Sequence, residues 1–139
     1  MSQEMRSPIE SGCPDGFQYM HPVMRKNYGQ WAYHEDPQPG VLVHVANSGE
    51  KIWTVRAGTQ RILDVYTLRE LCDIGDKYGD GYIHFTIRSN IEYQVADEAK
   101  VEPLIKALTD AGYIVGGTRN SVAMLSHTQG WLHCDIPGT

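Results

Sequence analysis

From Gly40 onward the chain settles into a regular pattern of apolar and polar positions. Val41-Leu42-Val43-His44-Val45-Ala46 is an apolar run rich in β-branched residues, bounded by Gly40 and by the turn residues Asn47-Ser48-Gly49. Lys51-Ile52-Trp53-Thr54-Val55-Arg56 follows as the returning strand, so the two runs predict a hairpin. Thr67-Leu68-Arg69-Glu70 then has the spacing of a capping box with Thr67 as the cap. Leu68, Leu71, Cys72 and Tyr78 recur at helical spacing, and Gly79 or Gly81 provides the stop. The segment from Tyr82 to Val95 returns to strand character and divides into strands over 82–88 and 91–95. A second helix is expected over 98–111, with Val101, Leu104, Ile105 and Leu108 on one face and Gly112 at its end; Pro103 fits only its first turn. Tyr113-Ile114-Val115 reads as a last short strand. The resulting order, β-β-α-β-β-α-β, is built from hairpins and predicts an α+β layer with helices on one side of a sheet.

Alternation within these strands sorts the candidate chemistry. Along 82–88 it places Ile83, Phe85 and Ile87 on one face and His84, Thr86 and Arg88 on the other. Arg56 closes its own strand in the same way, with Thr54 two residues before it. An arginine and a threonine delivered by each of two strands point to an anionic ligand lying on the sheet.

The ends of the chain differ from this middle. Residues 1–40 hold five of the seven prolines and show no sustained period. They also carry Phe17, Tyr19, Met20, Val23, Met24, Tyr28, Trp31 and Tyr33, too apolar a set for a solvated tail. They read as an extended arm that packs on its own domain or on a partner chain. Residues 116–139 begin with a glycine-rich loop, Gly116-Gly117-Thr118-Arg119-Asn120. They end on Gly130-Trp131-Leu132-His133-Cys134, a run that looks like the start of a further domain. The chain therefore divides into an arm (1–40), an α+β unit (41–115) and an incomplete segment (116–139).

Composition narrows the class. At 139 residues, 41% hydrophobic and 21% charged, this is one globular domain's worth of chain. A net charge of −5 gives no basic field for nucleic acid. No apolar run approaches the roughly 18 residues of a membrane span. Met1 to Glu10 lacks the apolar core of a secretory signal, so a cytoplasmic location is expected. Three cysteines, Cys13, Cys72 and Cys134, make no Cys-x-x-Cys pair. Their odd number argues against a disulfide framework. Cys72 reads as a small core residue, whereas Cys134 sits where a loop could present a soft metal ligand. On these motifs alone, a free-standing module that binds a small anion is one reading.

Several segments together carry a more specific one. Val23-Met24-Arg25-Lys26-Asn27-Tyr28-Gly29-Gln30-Trp31, Pro39-Gly40-Val41-Leu42-Val43-His44-Val45-Ala46, Trp53-Thr54-Val55-Arg56-Ala57-Gly58, Leu71-Cys72-Asp73-Ile74, His84-Phe85-Thr86-Ile87-Arg88-Ser89-Asn90 and Gly130-Trp131-Leu132-His133-Cys134 resemble the N-terminal third or so of dissimilatory sulfite reductase β subunits. These belong to the wider family of sirohaem-containing sulfite and nitrite reductases. The resemblance implies a ferredoxin-like half-repeat, preceded by the arm and followed by the start of a sirohaem and 4Fe–4S domain. It implies sirohaem contacts from Arg56, Thr86, Arg88, Arg119 and Asn120, and a cluster ligand in Cys134. It implies a homologous α subunit in an α2β2 assembly, sulfite as substrate and a small sulfur-carrier protein as a further partner. The three other cluster cysteines and the lysines of the substrate pocket fall beyond residue 139 by this resemblance. The chain is therefore expected to be an inactive fragment of an enzyme that interconverts sulfite and sulfide.

Overall fold

The structure is a computed structural model that describes residues 15–60 and 62–119. Its centre is a five-stranded sheet of β1 (Trp31–Gln38), β2 (Val41–Ala46), β3 (Lys51–Gly58), β4 (Tyr82–Phe85) and β5 (Asn90–Val95). The strand order is β1-β2-β3-β5-β4 and every neighbouring pair is antiparallel. A short helix α1 (Pro22–Lys26) precedes the sheet; α2 (Val65–Tyr78) and α3 (Val101–Asp110) follow β3 and β5. The α2 crossover joins β3 to β4 and leaves a gap between them that β5 fills. On the other side of β3, Val115 makes an isolated antiparallel bridge to Ala57. The order Val115-β3-β5-β4 is the split βαβ arrangement of a ferredoxin-like unit, so the expected α+β class is observed.

Period-two alternation sets which side chains meet the helices. Val41, Val55, Ala57, Ile91, Tyr93 and Val95 face one way and pack with Leu71 and Ile74 of α2 and Val101, Leu104 and Leu108 of α3. Each fully buried aliphatic side chain of this kind contributes about 1.5–3 kcal/mol. Tyr93 is enclosed and its hydroxyl donates to the Leu71 carbonyl at 3.0 Å. Burial pushes its phenol well above the ordinary value, so the donor keeps its proton. Gly75 of α2 lies flat against this ring; a Cβ there would stand 3.1 Å from Tyr93 Cε1.

The segment before β1 is tied down by Asp80, at the end of α2. Its carboxylate accepts from the Ala96 amide at 2.7 Å and from Lys100 at 2.5 Å, and lies 3.1 Å from His21 Nε2. Burial raises the Asp80 pKa, but Lys100, the Ala96 amide and His21 outweigh it and hold the carboxyl below its ordinary value. The His21 ring meets Tyr82 edge-on at 4.9 Å.

Four local expectations change. The arm assigned to 1–40 contains β1, an edge strand paired to β2 with irregular register between Trp31 and Tyr33 and between Glu35 and Gln38. Pro37 lies in the second irregular stretch, where a missing amide donor is tolerated. Helix α2 starts earlier than the Thr67 cap: Asp64 is the cap and accepts from the amides of Tyr66 (2.8 Å) and Thr67 (2.9 Å) and from the Thr67 hydroxyl (2.8 Å). The helix over 98–111 resolves into a 3₁₀ turn at Glu98–Lys100 and then α3, with Pro103 in its first turn. The strand over 82–88 stops at Phe85; residues 86–89 turn, with Ser89 at a φ of 59° and Ile87 96% exposed.

Gly40 allows the sheet to close around Val115. It has a φ of +83°, and a Cβ there would meet the Gly116 amide nitrogen at 2.6 Å and Val115 Cγ1 at 2.7 Å. Gly49 has the same φ, but nothing lies within 4 Å of its Cβ position. Gly49→Ala is therefore expected to lose only the left-handed backbone penalty, about 1–2 kcal/mol. Gly40→Ala should lose about 1–3 kcal/mol more through the clash. Urea unfolding of both variants measures the difference; equal midpoints would show that the 115–116 segment yields freely.

Candidate anion-binding face

The sheet face turned away from α2 and α3 carries the polar and charged candidates of the strands, and the strand register fixes its rows. Arg56 of β3 pairs with Glu92 of β5, which pairs with His84 of β4. The next row is Leu42, Thr54, Gln94 and Tyr82. Beyond it, Ile52 pairs with His44, which pairs with His34 of β1. Side chains two residues apart on a strand share a face, so Asn90, opposite Gly58, completes the set.

At its heart is an ion pair, with Arg56 Nε donating to Glu92 Oε2. Glu92 is only 3% exposed. His84 Nδ1 lies 3.4 Å from its other oxygen. Arg56 therefore does not stand as an isolated cation on a polar strand face; a buried carboxylate balances it. Sequence reading missed Glu92, although Asn90, Glu92 and Gln94 alternate as three polar residues within β5. What the pattern could not give is their burial.

Two donors on this face lack partners among the described residues. Thr54 Oγ1 and Asn90 Nδ2 are enclosed, in residues 1% and 2% exposed, and make no hydrogen bond to any described residue. A buried polar atom without a partner costs about 1–3 kcal/mol. Native folds rarely leave one without reason.

The remaining candidates gather at the end of the face where β3 leaves the sheet. The Arg56 carbonyl accepts from the Gly116 amide at 3.0 Å, and Arg88 Nη1 donates to the Gly117 carbonyl at 3.3 Å. Arg88 reaches this place from the 86–89 turn, not from a strand face, which corrects the alternation reading. The Thr118 hydroxyl accepts from the Gly40 amide at 3.2 Å, and Arg119 Nε is 2.9 Å from Asp36 Oδ2 of β1. The segment 116–119 thus links Arg56, Arg88 and Arg119. Thr86 is used differently: its hydroxyl accepts from the Asn90 amide at 3.2 Å and clamps the turn. Asn120 and Cys134 lie outside the described residues.

His44 reports the field of this face. Burial lowers its pKa below the ordinary imidazole value; Glu92 opposes the shift, and His34 and Arg56 reinforce it. In the unfolded chain His44 takes up its proton near pH 6.5. The fold resists that proton, so stability should fall as pH drops through about 6.5 and level off below the folded midpoint. In an NMR titration the His44 midpoint should lie below that of an exposed histidine. It should rise in Arg56→Gln and fall further in Glu92→Gln; a midpoint indifferent to both would show that these charges do not reach it.

Comparison with known proteins adds an independent line. Residues 44–111 match the family described as the nitrite/sulfite reductase ferredoxin-like half domain. Three proteins named sulfite reductase, dissimilatory-type subunit beta, align along most of the chain. The one from Archaeoglobus fulgidus is 50% identical over 125 residues, covering 85% of this chain and 34% of that protein. The one from Nitratidesulfovibrio vulgaris is 46% identical over 129 residues, covering 88% and 34%. The one from Megalodesulfovibrio gigas is 40% identical over 129 residues, covering 88% and 49%. The chain spans about a third to a half of the length of these relatives.

Proposed function

Residues 44–111 belong to the nitrite/sulfite reductase ferredoxin-like half-domain family and the chain is a homologue of dissimilatory-type sulfite reductase β subunits, so we propose that it forms the part of such a subunit that receives sirohaem. The observation that carries this reading is the line of donors on the sheet face. Thr54, Arg56 and Asn90, the last opposite Gly58, follow one another at two-residue intervals. At the rise of a strand they span about 13 Å. Such a line cannot converge on an anion the size of sulfite. It suits a flat, extended ligand with carboxylates around its rim. Thr54 Oγ1 and Asn90 Nδ2 are enclosed, so a ligand that satisfies them would have to open the packing around them on binding. The spacing therefore disfavours a free-standing small-anion module.

In this reading Thr54, Arg56 and Asn90 hold carboxylates of the macrocycle, and Arg88 and Arg119 add cationic character beside the 116–119 segment. Arg56 keeps its terminal nitrogens for the ligand while Nε serves Glu92. Thr86 contributes by fixing the turn that presents Arg88. Asn120 as a cofactor contact and Cys134 as a ligand of the 4Fe–4S cluster follow from the family resemblance alone. When bound, sirohaem coupled to that cluster supplies the six-electron chemistry between sulfite and sulfide. The chain's own share is to bind, orient and shield the cofactor. The complete subunit would work with a homologous α subunit in an α2β2 assembly in the cytoplasm, with a small sulfur-carrier protein as a further partner.

Thr54→Val tests this with effects of opposite sign. Without cofactor the variant should be more stable by about 1 kcal/mol, because an unpartnered hydroxyl is removed at constant shape. In the complete subunit purified with its α partner, the same change should lower sirohaem occupancy, read from the absorption spectrum. A stabilised variant with full occupancy would remove Thr54 from the site. A complete wild-type subunit without sirohaem absorption would sink the assignment.

A further inference from the structure

Arginine 56 has a long side chain with many rotamers, and on an exposed sheet its guanidinium would be free to wander. Here the Nε–H donates to a carboxylate of the adjacent strand. Glu92 is itself fixed: its side chain is 5% exposed, and His84 flanks its second oxygen at 3.4 Å. Both residues sit in the register-defined row that also aligns His84. Asn90 lies two residues from Glu92 on β5, and Thr54 two residues from Arg56 on β3, so the two donors without a partner among the described residues bracket the pair.

A carboxylate is an unexpected neighbour for an anion site, since its charge repels the ligand. Its value is geometric. Accepting from Nε fixes the plane of the guanidinium while leaving the terminal N–H groups to other acceptors. A side chain already immobilised loses less entropy when a ligand arrives.

We propose that Glu92 is a positioning residue: it holds the Arg56 guanidinium in a binding-ready orientation, and its hydrogen-bond acceptor matters more than its charge. This rests on the reading that Arg56 meets the carboxylates of a tetrapyrrole. Glu92→Gln retains an acceptor and removes the charge; Glu92→Met retains the volume and removes both. The probe is uroporphyrin, a metal-free tetrapyrrole polycarboxylate, titrated into the full chain and followed by its fluorescence. Glu92→Gln should bind it at least as tightly as the unaltered protein, because a repelling charge is gone. Glu92→Met should bind it about three- to tenfold more weakly than Glu92→Gln, the factor expected for one side chain that must be immobilised on binding.

The Arg56 Nε–H resonance provides a readout that needs no ligand. It should be observed and slow to exchange in the unaltered chain and in Glu92→Gln, and lost to exchange in Glu92→Met. If Glu92→Met does not fold, Glu92→Asp replaces it: its carboxylate carries the charge but is one methylene short of Nε, and the same loss is expected. An Arg56 signal equally protected in the Met or Asp variant, or affinities that follow charge alone, overturns the positioning role. Uroporphyrin binding unaffected by Arg56→Gln overturns instead the underlying assignment of Arg56 to the ligand and leaves the resonance to decide the orientation of the side chain.

Discussion

Val55 and Arg56 are adjacent in sequence and face opposite sides of β3, and the period of two that separates them divides the domain into its core and its site. Val55 is fully enclosed among residues of α2 and α3, while Arg56 meets Glu92 on the far face. A slip of one residue would drive the guanidinium among Leu71 and Leu104 and turn Val55 toward His84 and Glu92. That slip is blocked on both flanks: β2 and β5 pair with β3, and Val115 takes over beside Ala57 where β2 ends at Val41. Gly40 makes this handover possible, because no other residue tolerates both its backbone conformation and the approach of Gly116. Core packing and site geometry therefore share one determinant, the register of the central strand.

The Arg56–Glu92 pair has no evident origin in stability. Charges taken out of water lose hydration that their attraction hardly repays, and an apolar pair of similar volume would hold the sheet as well. Once present, however, each partner depends on the other, since removing either would leave a buried charge at a cost of about 3–5 kcal/mol. Thr54 and Asn90 show the same logic in neutral form, as polar groups placed in the interior without a partner among the described residues. Such costs in three adjacent rows are what the proposed binding role of this face would explain, since they contribute little to folding.

The elements legible in sequence were those whose signals were local. The 41–56 hairpin had its turn residues, and the two helices had their apolar stripes. The misses came where one signal imitated another. Polar and apolar residues alternate from Tyr82 through Arg88, which placed the break between the two strands after residue 88, yet the chain already turns at 86–89, with Ser89 in a left-handed conformation and the Thr86 hydroxyl as clamp. Pro37 disguised β1 as irregular arm, because an edge strand can spare a donor that a central strand cannot. Thr67 and Glu70 copied a capping box three residues inside a helix that Asp64 caps. On the candidate face, alternation placed Arg56 and Thr54 together from their strand, whereas Arg88, read on a strand face, comes from a turn. Glu92 could not be read from sequence, because its role depends on pairing across a gap of 36 residues and on a burial that alternation does not reveal.

The charge balance decides what kind of ligand the face can accept. Arg56 is matched by Glu92 and Arg119 by Asp36. A ligand that demanded either whole cation would have to displace a carboxylate, and Glu92, enclosed, has nowhere to go. A guanidinium has five N–H donors, and both pairs are made through Nε. Each arginine can thus serve its own carboxylate and a carboxylate of the ligand at once, on different edges of the same plane. Such sharing suits an acceptor that approaches along the sheet and takes one or two N–H groups from each of several residues. It does not suit a compact anion that needs many donors at one point. On the proposed reading, the partners that neutralise the arginines would therefore also shape their selectivity, toward broad polycarboxylates and away from small oxyanions.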